Sequence, residues 1–217
     1  AMTDLADPAL AGLDIECCLS HLASADEDVA QNAQQLARFV QVRQAVAARR
    51  YSLANSAGIA LGSEYQADLT RPGLALYGGV PRGEFAGRIA QVAFPQAAVI
   101  QVRQLSAGDR VGYNATFTAP GPIRAGVLAV GYADGYLRCW SGGKGSFSWN
   151  GARVPVLGRV SMDMAIVDLS HAPGCGEGDW LTFDYDLVAG AKASGLSQYE
   201  MLTLLGRRFA RFTANLL

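Results

Sequence analysis

The chain has 217 residues, 19 acidic against 18 basic side chains, and a formal net charge of −1. Half of the residues are apolar and 17% are charged, a balance that excludes a disordered chain and offers no basic footprint for nucleic acid or an anionic membrane surface. No apolar run reaches the roughly 18 residues of a membrane span. No basic-then-apolar signal opens the chain, whose first ten residues, AMTDLADPAL, are acidic and turn-like, so a soluble cytoplasmic protein is expected.

Leu13–Leu19, LDIECCL, reads as a strand buried on both faces, as in a covered parallel sheet. Cys17 and Cys18 inside it read as small core residues rather than a redox pair. Ser24 and Glu27 form an S-x-x-E capping signature. The helix expected after it carries Val29, Ala33, Leu36, Val40 and Ala47 near one face. Ser52–Ala54 reads as a second strand ending at Asn55-Ser56. A short helical piece follows, then Asp68–Thr70 as a third strand with Arg71-Pro72-Gly73 as its exit. Strand, loop and helix in repetition are α/β grammar.

The grammar changes beyond about residue 91. Ala98–Leu105, Val111–Thr118, Arg124–Val130, Ser146–Trp149, Arg153–Leu157, Met164–Leu169 and Trp180–Phe183 are strand-like, and Asn150-Gly151 is a two-residue hairpin signal. Ser197 and Glu200 form a second capping signature, opening one late helix with Met201, Leu204 and Leu205 apolar. A boundary near Pro81–Gly87 gives an α/β domain over 1–85 and a β domain over 86–217. About three βα units are too few for a closed barrel of eight, so the first half reads as the end of a larger element.

Several turns carry polar groups suited to chemistry. Ser56 and Gly73 each follow a strand and open a turn, which fits either a phosphate cup or an N-cap and a plain turn. Arg71 lies between them, either in a structural ion pair or facing a cofactor ring. Tyr113, Tyr132 and the Met162-Asp163 pair sit in Gly-rich strand ends. A tyrosine there is either packed, with its hydroxyl satisfied, or a proton carrier. The two histidines, His21 and His171, have no cysteine at ligand spacing, so no metal site is expected.

Seven segments, SHLASADED, ANSAG, RPGLALYGG, VGYNATFTA, VGYADGY, GRVSMDM and QYE, occur in an order and spacing that resembles alanine racemase, a pyridoxal phosphate (PLP) enzyme family. The resemblance covers essentially the whole chain but only the later part of the family's length. It implies the last βα units of a (β/α)8 TIM barrel followed by a C-terminal β domain. It also implies racemisation of L- and D-alanine. Tyr113 matches the family's catalytic base on the L face. Tyr132, Met162 and Asp163 match residues that narrow and line the substrate pocket. Ser56, Gly73, Leu74 and Tyr199 match phosphate-binding positions. Arg71 matches the arginine on the PLP ring nitrogen, His21 the histidine that braces it, and Asn55 the neighbour of Ser56. Arginine stays protonated and cannot give a proton to that nitrogen. The resemblance further implies a head-to-tail homodimer whose active site is shared between subunits.

Ser161 stands where relatives often carry Cys, and the sequence lacks both an early substrate-orienting arginine and the Schiff-base lysine of the family. That lysine belongs to an early barrel strand, and neither Lys144 (GGKGS) nor Lys192 (AGAKASG) matches its motif. Both read as surface residues. This chain is therefore expected to be inactive alone and to need a complementary N-terminal segment. A serine or broad-specificity racemase, or a non-catalytic PLP-binding module, is the competing reading.

Overall fold

A computed structural model describes residues 12–212, so the acidic opening AMTDLADPAL lies outside the described residues. The chain divides into two compact units, Ala1–Gln91 and Val92–Leu217.

In the first unit, strand β1 (Cys17–Leu19) pairs in parallel with β2 (Arg50–Ser52), and helix α1 (Ala30–Ala45) connects them. A short helix α2 (Ser63–Gln66) follows. Leu22, Phe39, Leu53 and Tyr65 form the core; burying side chains of this size stabilises by about 1.5–3 kcal/mol each. Four expectations are corrected here. Leu13 and Leu19 are exposed and both cysteines are half-buried, because β1 has a hydrogen-bonded neighbour on one side among the described residues. Ser24 does not cap a helix: its carbonyl accepts from Glu27 N at 3.1 Å in a turn, and α1 starts six residues later without a side-chain cap. The buried face of α1 runs through Asn32, Leu36 and Phe39, while Ala33 and Val40 face solvent; the largest apolar side chain, Phe39, sets the face. Asp68–Thr70 is not a strand. It is held by Asp68 N donating to Tyr51 O at 3.1 Å and by one parallel bridge between Asn55 and Arg71.

The second unit is built on a closed antiparallel barrel of six strands. In order around the ring these are β10 (Trp180–Phe183), β3 (Gln96–Leu105), β6 (Ile123–Leu128), β9 (Ala165–Asp168), β8 (Ala152–Leu157) and β7 (Ser146–Trp149). Alternation follows the pleat: Ala165 and Val167 of β9, and Leu181 and Phe183 of β10, point inward. Tyr136 plugs the interior, stacked on Phe147 at 4.6 Å and beside Trp140 at 4.9 Å. Asn150 and Gly151 both take positive φ, 47° and 81°, in the β7–β8 turn. Val111–Thr118 is not one strand. It is the hairpin β4 (Arg110–Val111) and β5 (Phe117–Thr118), with Tyr113–Ala115 as a 3-10 turn at its tip. Asn114 there has φ 60°, a backbone turn that ends the strand. Two late helices, not one, follow: α3 (Leu187–Ser194) and α4 (Gln198–Leu204). The Ser197–Glu200 capping box forms as expected, with Ser197 N donating to Glu200 Oε2 at 2.7 Å.

Candidate active site

In the first unit the polar groups gather at the carboxyl ends of β1 and β2 and of the bridge segment. Ser56 is buried, and its Oγ accepts from the backbone N–H of Gly73 at 2.8 Å and of Ala75 at 3.3 Å. Two backbone donors thus converge on one oxygen beside buried Leu74. Arg71 is held by Nη1 donating to Ser52 Oγ at 2.5 Å and Nη2 donating to Ser20 O at 2.6 Å. Its main-chain N–H donates to Ala54 O at 2.9 Å. Ser52 is fully buried and donates its hydroxyl to Leu69 O at 2.5 Å, so it fixes the arginine from below. Ser52 thus contacts Arg71 directly, while the His21 ring contacts Asn55. His21 Nε2 lies 3.3 Å from Asn55 Nδ2, and Asn55 Oδ1 accepts from Gly58 N at 2.9 Å. Ser52 was missed because a serine within a strand carries no local signal of what it faces.

In the second unit three separate motifs meet at one end of the barrel. A Cβ on Gly131 would lie 2.3 Å from Met162 O and 2.4 Å from Ser161 O. The space is taken by backbone hydrogen bonds: Tyr132 N donates to Ser161 O and Ala133 N to Met162 O, both at 3.0 Å. A Cβ on Gly112 would lie 2.9 Å from Arg159 N, and one on Gly158 2.7 Å from Val111 O. Both glycines have positive φ, 79° and 64°. The glycines are therefore the contact points at which VGYNATFTA, VGYADGY and GRVSMDM lock together. They leave Tyr113 and Met162 exposed, 60% and 53%, with Tyr132 half-buried and Arg138 over its ring at 4.7 Å.

Asp163 is tied by a residue that sequence reasoning passed over. Arg208 Nη1 donates to Asp163 Oδ1 at 2.7 Å, and Arg208 Nε to Asp134 Oδ1 at 2.8 Å. Asp134 is buried, and its Oδ2 accepts from Gly131 N at 3.0 Å. The hydrogen bond donated to Asp163, then the charge of Asp134, push the Arg208 guanidinium further toward its protonated form. Tyr199 is half-exposed on the first turn of α4. Lys144 and Lys192, both in this unit, are exposed. Burial, then the charge of Cys17, raises the Cys18 thiol above its ordinary range, which keeps it from thiolate chemistry. Among the described residues no three His, Cys, Asp or Glu side chains gather to hold a metal ion, and no helix is long and apolar enough to cross a membrane.

Residues 2–81 match the family model for the alanine racemase N-terminal domain, and residues 92–213 match that for the alanine racemase C-terminal domain. The chain is 42% identical over 219 aligned positions to the alanine racemase of Methylobacterium nodulans, covering 96% of this chain and 58% of the relative. It is also 42% identical to the catabolic alanine racemase of Agrobacterium fabrum, covering 93% of this chain and 53% of the relative. Its fold is similar to the crystal structure of Bartonella henselae alanine racemase with covalently bound pyridoxal phosphate, with TM-score 0.83, 34% identity, and coverage of 97% of this chain and 60% of that one. The chain spans a little over half the length of the curated relatives it matches. An N-terminal racemase domain and a C-terminal β domain, occurring in that order, are the architecture described above, and the chain belongs to the alanine racemase family.

Proposed function

We propose that this chain is the later part of an alanine racemase, comprising the last βα units of a (β/α)8 barrel over 1–85 and the β domain over 86–217. We further propose that the complete enzyme interconverts L- and D-alanine with pyridoxal phosphate. The observation that carries this reading is the joining of the three distant motifs that hold Tyr113, Tyr132 and Met162-Asp163 at one barrel end, through the close backbone approaches at Gly112, Gly131 and Gly158.

The first unit fits the cofactor's phosphate and its ring nitrogen. Two backbone N–H groups fix the Ser56 oxygen, which leaves its O–H to donate to a phosphate oxygen, with Gly73 leaving the backbone approachable. Tyr199 is read as a further phosphate ligand. The terminal nitrogens of Arg71 are engaged by Ser52 and Ser20, and its Nε–H is assigned to the cofactor's ring nitrogen. When bound, the cofactor supplies the electron sink that makes the alanine Cα–H acidic.

The chain's own residues do the rest. The Tyr113 hydroxyl oxygen takes the Cα proton on the L face in the L-to-D direction and supplies a proton to that face in the reverse direction. Tyr132 narrows the approach, and Met162 with Asp163 bounds the substrate's small side chain. Racemisation needs a second base on the opposite face. That amine is assigned to a lysine outside these 217 residues, since Lys144 and Lys192 are solvent-facing. In the complete enzyme the β domain of one subunit offers Tyr113 to the barrel of its partner, a head-to-tail homodimer. The four free cysteines support a reducing, cytoplasmic setting.

The test has two arms. The chain alone, given pyridoxal phosphate and borohydride, should show no specifically trapped lysine and form no D-alanine. The complete protein should form D-alanine, and Tyr113→Phe should slow this by about a hundredfold or more. Specific trapping of Lys144 or Lys192 together with turnover would overturn the assignment.

A further inference from the structure

The Arg208 side chain ties the Met162-Asp163 loop to the buried frame of the neighbouring tyrosine turn. Its Nε donates to buried Asp134, and its Nη1 donates to exposed Asp163. Asp134 in turn accepts from Gly131 N, the residue whose missing side chain lets the two turns touch. Arg208 is brought there by a second close approach: Gly135, at φ 93°, lies where a Cβ would be 3.0 Å from Leu204 O at the end of α4.

We propose that Arg208 is a positioning residue for the substrate pocket. Its planar fork sets the rotamer of Asp163 and neutralises that carboxylate, so that a substrate carboxylate can approach the loop. This rests on the reading of Met162-Asp163 as pocket lining given above. Geometry separates it from a surface ion pair of small effect. One guanidinium spans two carboxylates from different motifs, and one of these is buried and already engaged at its second oxygen. A lysine has a single ammonium and cannot reproduce that fork.

The proposal predicts a division between binding and turnover. In the complete, cofactor-loaded protein, Arg208→Gln should raise KM for alanine about tenfold, the cost of one charge-assisted hydrogen bond, with kcat within about twofold. Arg208→Lys should recover part of the KM. In an Asp163→Asn background the Arg208→Gln substitution should have little further effect on KM. Hydrogen exchange supplies a readout independent of activity. Amides of 158–164 should exchange faster in Arg208→Gln, while those of β6 and β9 keep wild-type protection. Should Arg208→Gln fail to fold, Asp163→Asn, which keeps the Asp134–Arg208 pair, should show the same loop-confined exchange. An unchanged KM, an effect on KM that persists in full without Asp163, or unchanged exchange at 158–164 would overturn the proposal. Absence of any racemase activity in the complete protein would instead sink the functional reading, and the exchange arm would still decide the role of Arg208.

Discussion

Ser56 Oγ and Gly73 N lie 2.8 Å apart across 17 residues of sequence, hydroxyl accepting and amide donating. The contact joins the end of β2 to the exit of the bridge segment and sets the shape of the cup between them. Ser56→Ala should therefore act on structure and ligand together. It should lower the stability of the first unit by about 1 kcal/mol and weaken pyridoxal phosphate binding about tenfold. Calorimetry and an absorbance titration would measure the two. Ser56→Thr, which keeps the oxygen, should lose less of both.

Arg71 is constrained by Ser52 beneath it and by the Ser20 carbonyl beside it. With Arg71 facing the cofactor's ring nitrogen, as proposed above, its permanent charge would keep that nitrogen unprotonated and so limit side reactions. Arg71→Glu should raise the ratio of pyruvate formed to alanine racemised in the complete protein. A ratio equal to that of the wild type would rule this out.

Gly131 has no room for a methyl group, since Met162 O and Ser161 O would both sit under 2.5 Å from it. Its φ of −149° is ordinary, so the effect is steric alone. Gly131→Ala should cost about 1–3 kcal/mol and displace the 161–163 loop, with activity falling beyond what the melting temperature explains. Gly151 is the control: nothing lies within 4 Å of its Cβ position, and its φ is 81°. Gly151→Ala should cost about 1–2 kcal/mol through backbone strain alone, with kcat unchanged.

Burial pushes the Tyr185 phenol up to about 12, while its hydroxyl donates to Met201 O at 2.8 Å. The folded value exceeds the unfolded one of about 10, so the unfolded chain ionises first as pH rises. Stability from this group is fully present below pH 10 and is lost between about 10 and 12. Buried Tyr136 is raised further, by burial and then by the charge of Asp184, and acts in the same direction. Melting temperature measured from pH 9 to 12 should fall steeply in the wild type and less steeply in Tyr185→Phe.

Much of the barrel unit was legible because its signals are local. Pleat alternation marked β9 and β10, Asn150-Gly151 marked a turn by its need for positive φ, and Ser197 with Glu200 marked a helix start. The first unit was less so. Ser24 and Glu27 match a capping box in letters but not in place, since tertiary packing of Phe39 decides where α1 begins and which side it buries. Val111–Thr118 hid a hairpin because the Tyr113–Ala115 turn uses Asn114 and Ala115 rather than glycine at its positive-φ positions. At the site, residue types named the motifs, but the joining of three motifs by Gly112, Gly131 and Gly158 is a through-space fact. So is the bridge from Arg208, which lies 45 residues from Asp163.

The ring order of the six-stranded barrel also fixes a sequence of events during synthesis. The closing strand β10 pairs with β3, joining Trp180 to Ala98, so β3 must wait for more than 80 further residues to emerge before its second neighbour exists. Until then the Tyr136–Phe147 pair lacks Phe183. Closure is thus a late, long-range step of the kind that slows folding. A nascent chain halted before residue 180 would expose the apolar interior to a chaperone, and one released beyond residue 183 would not.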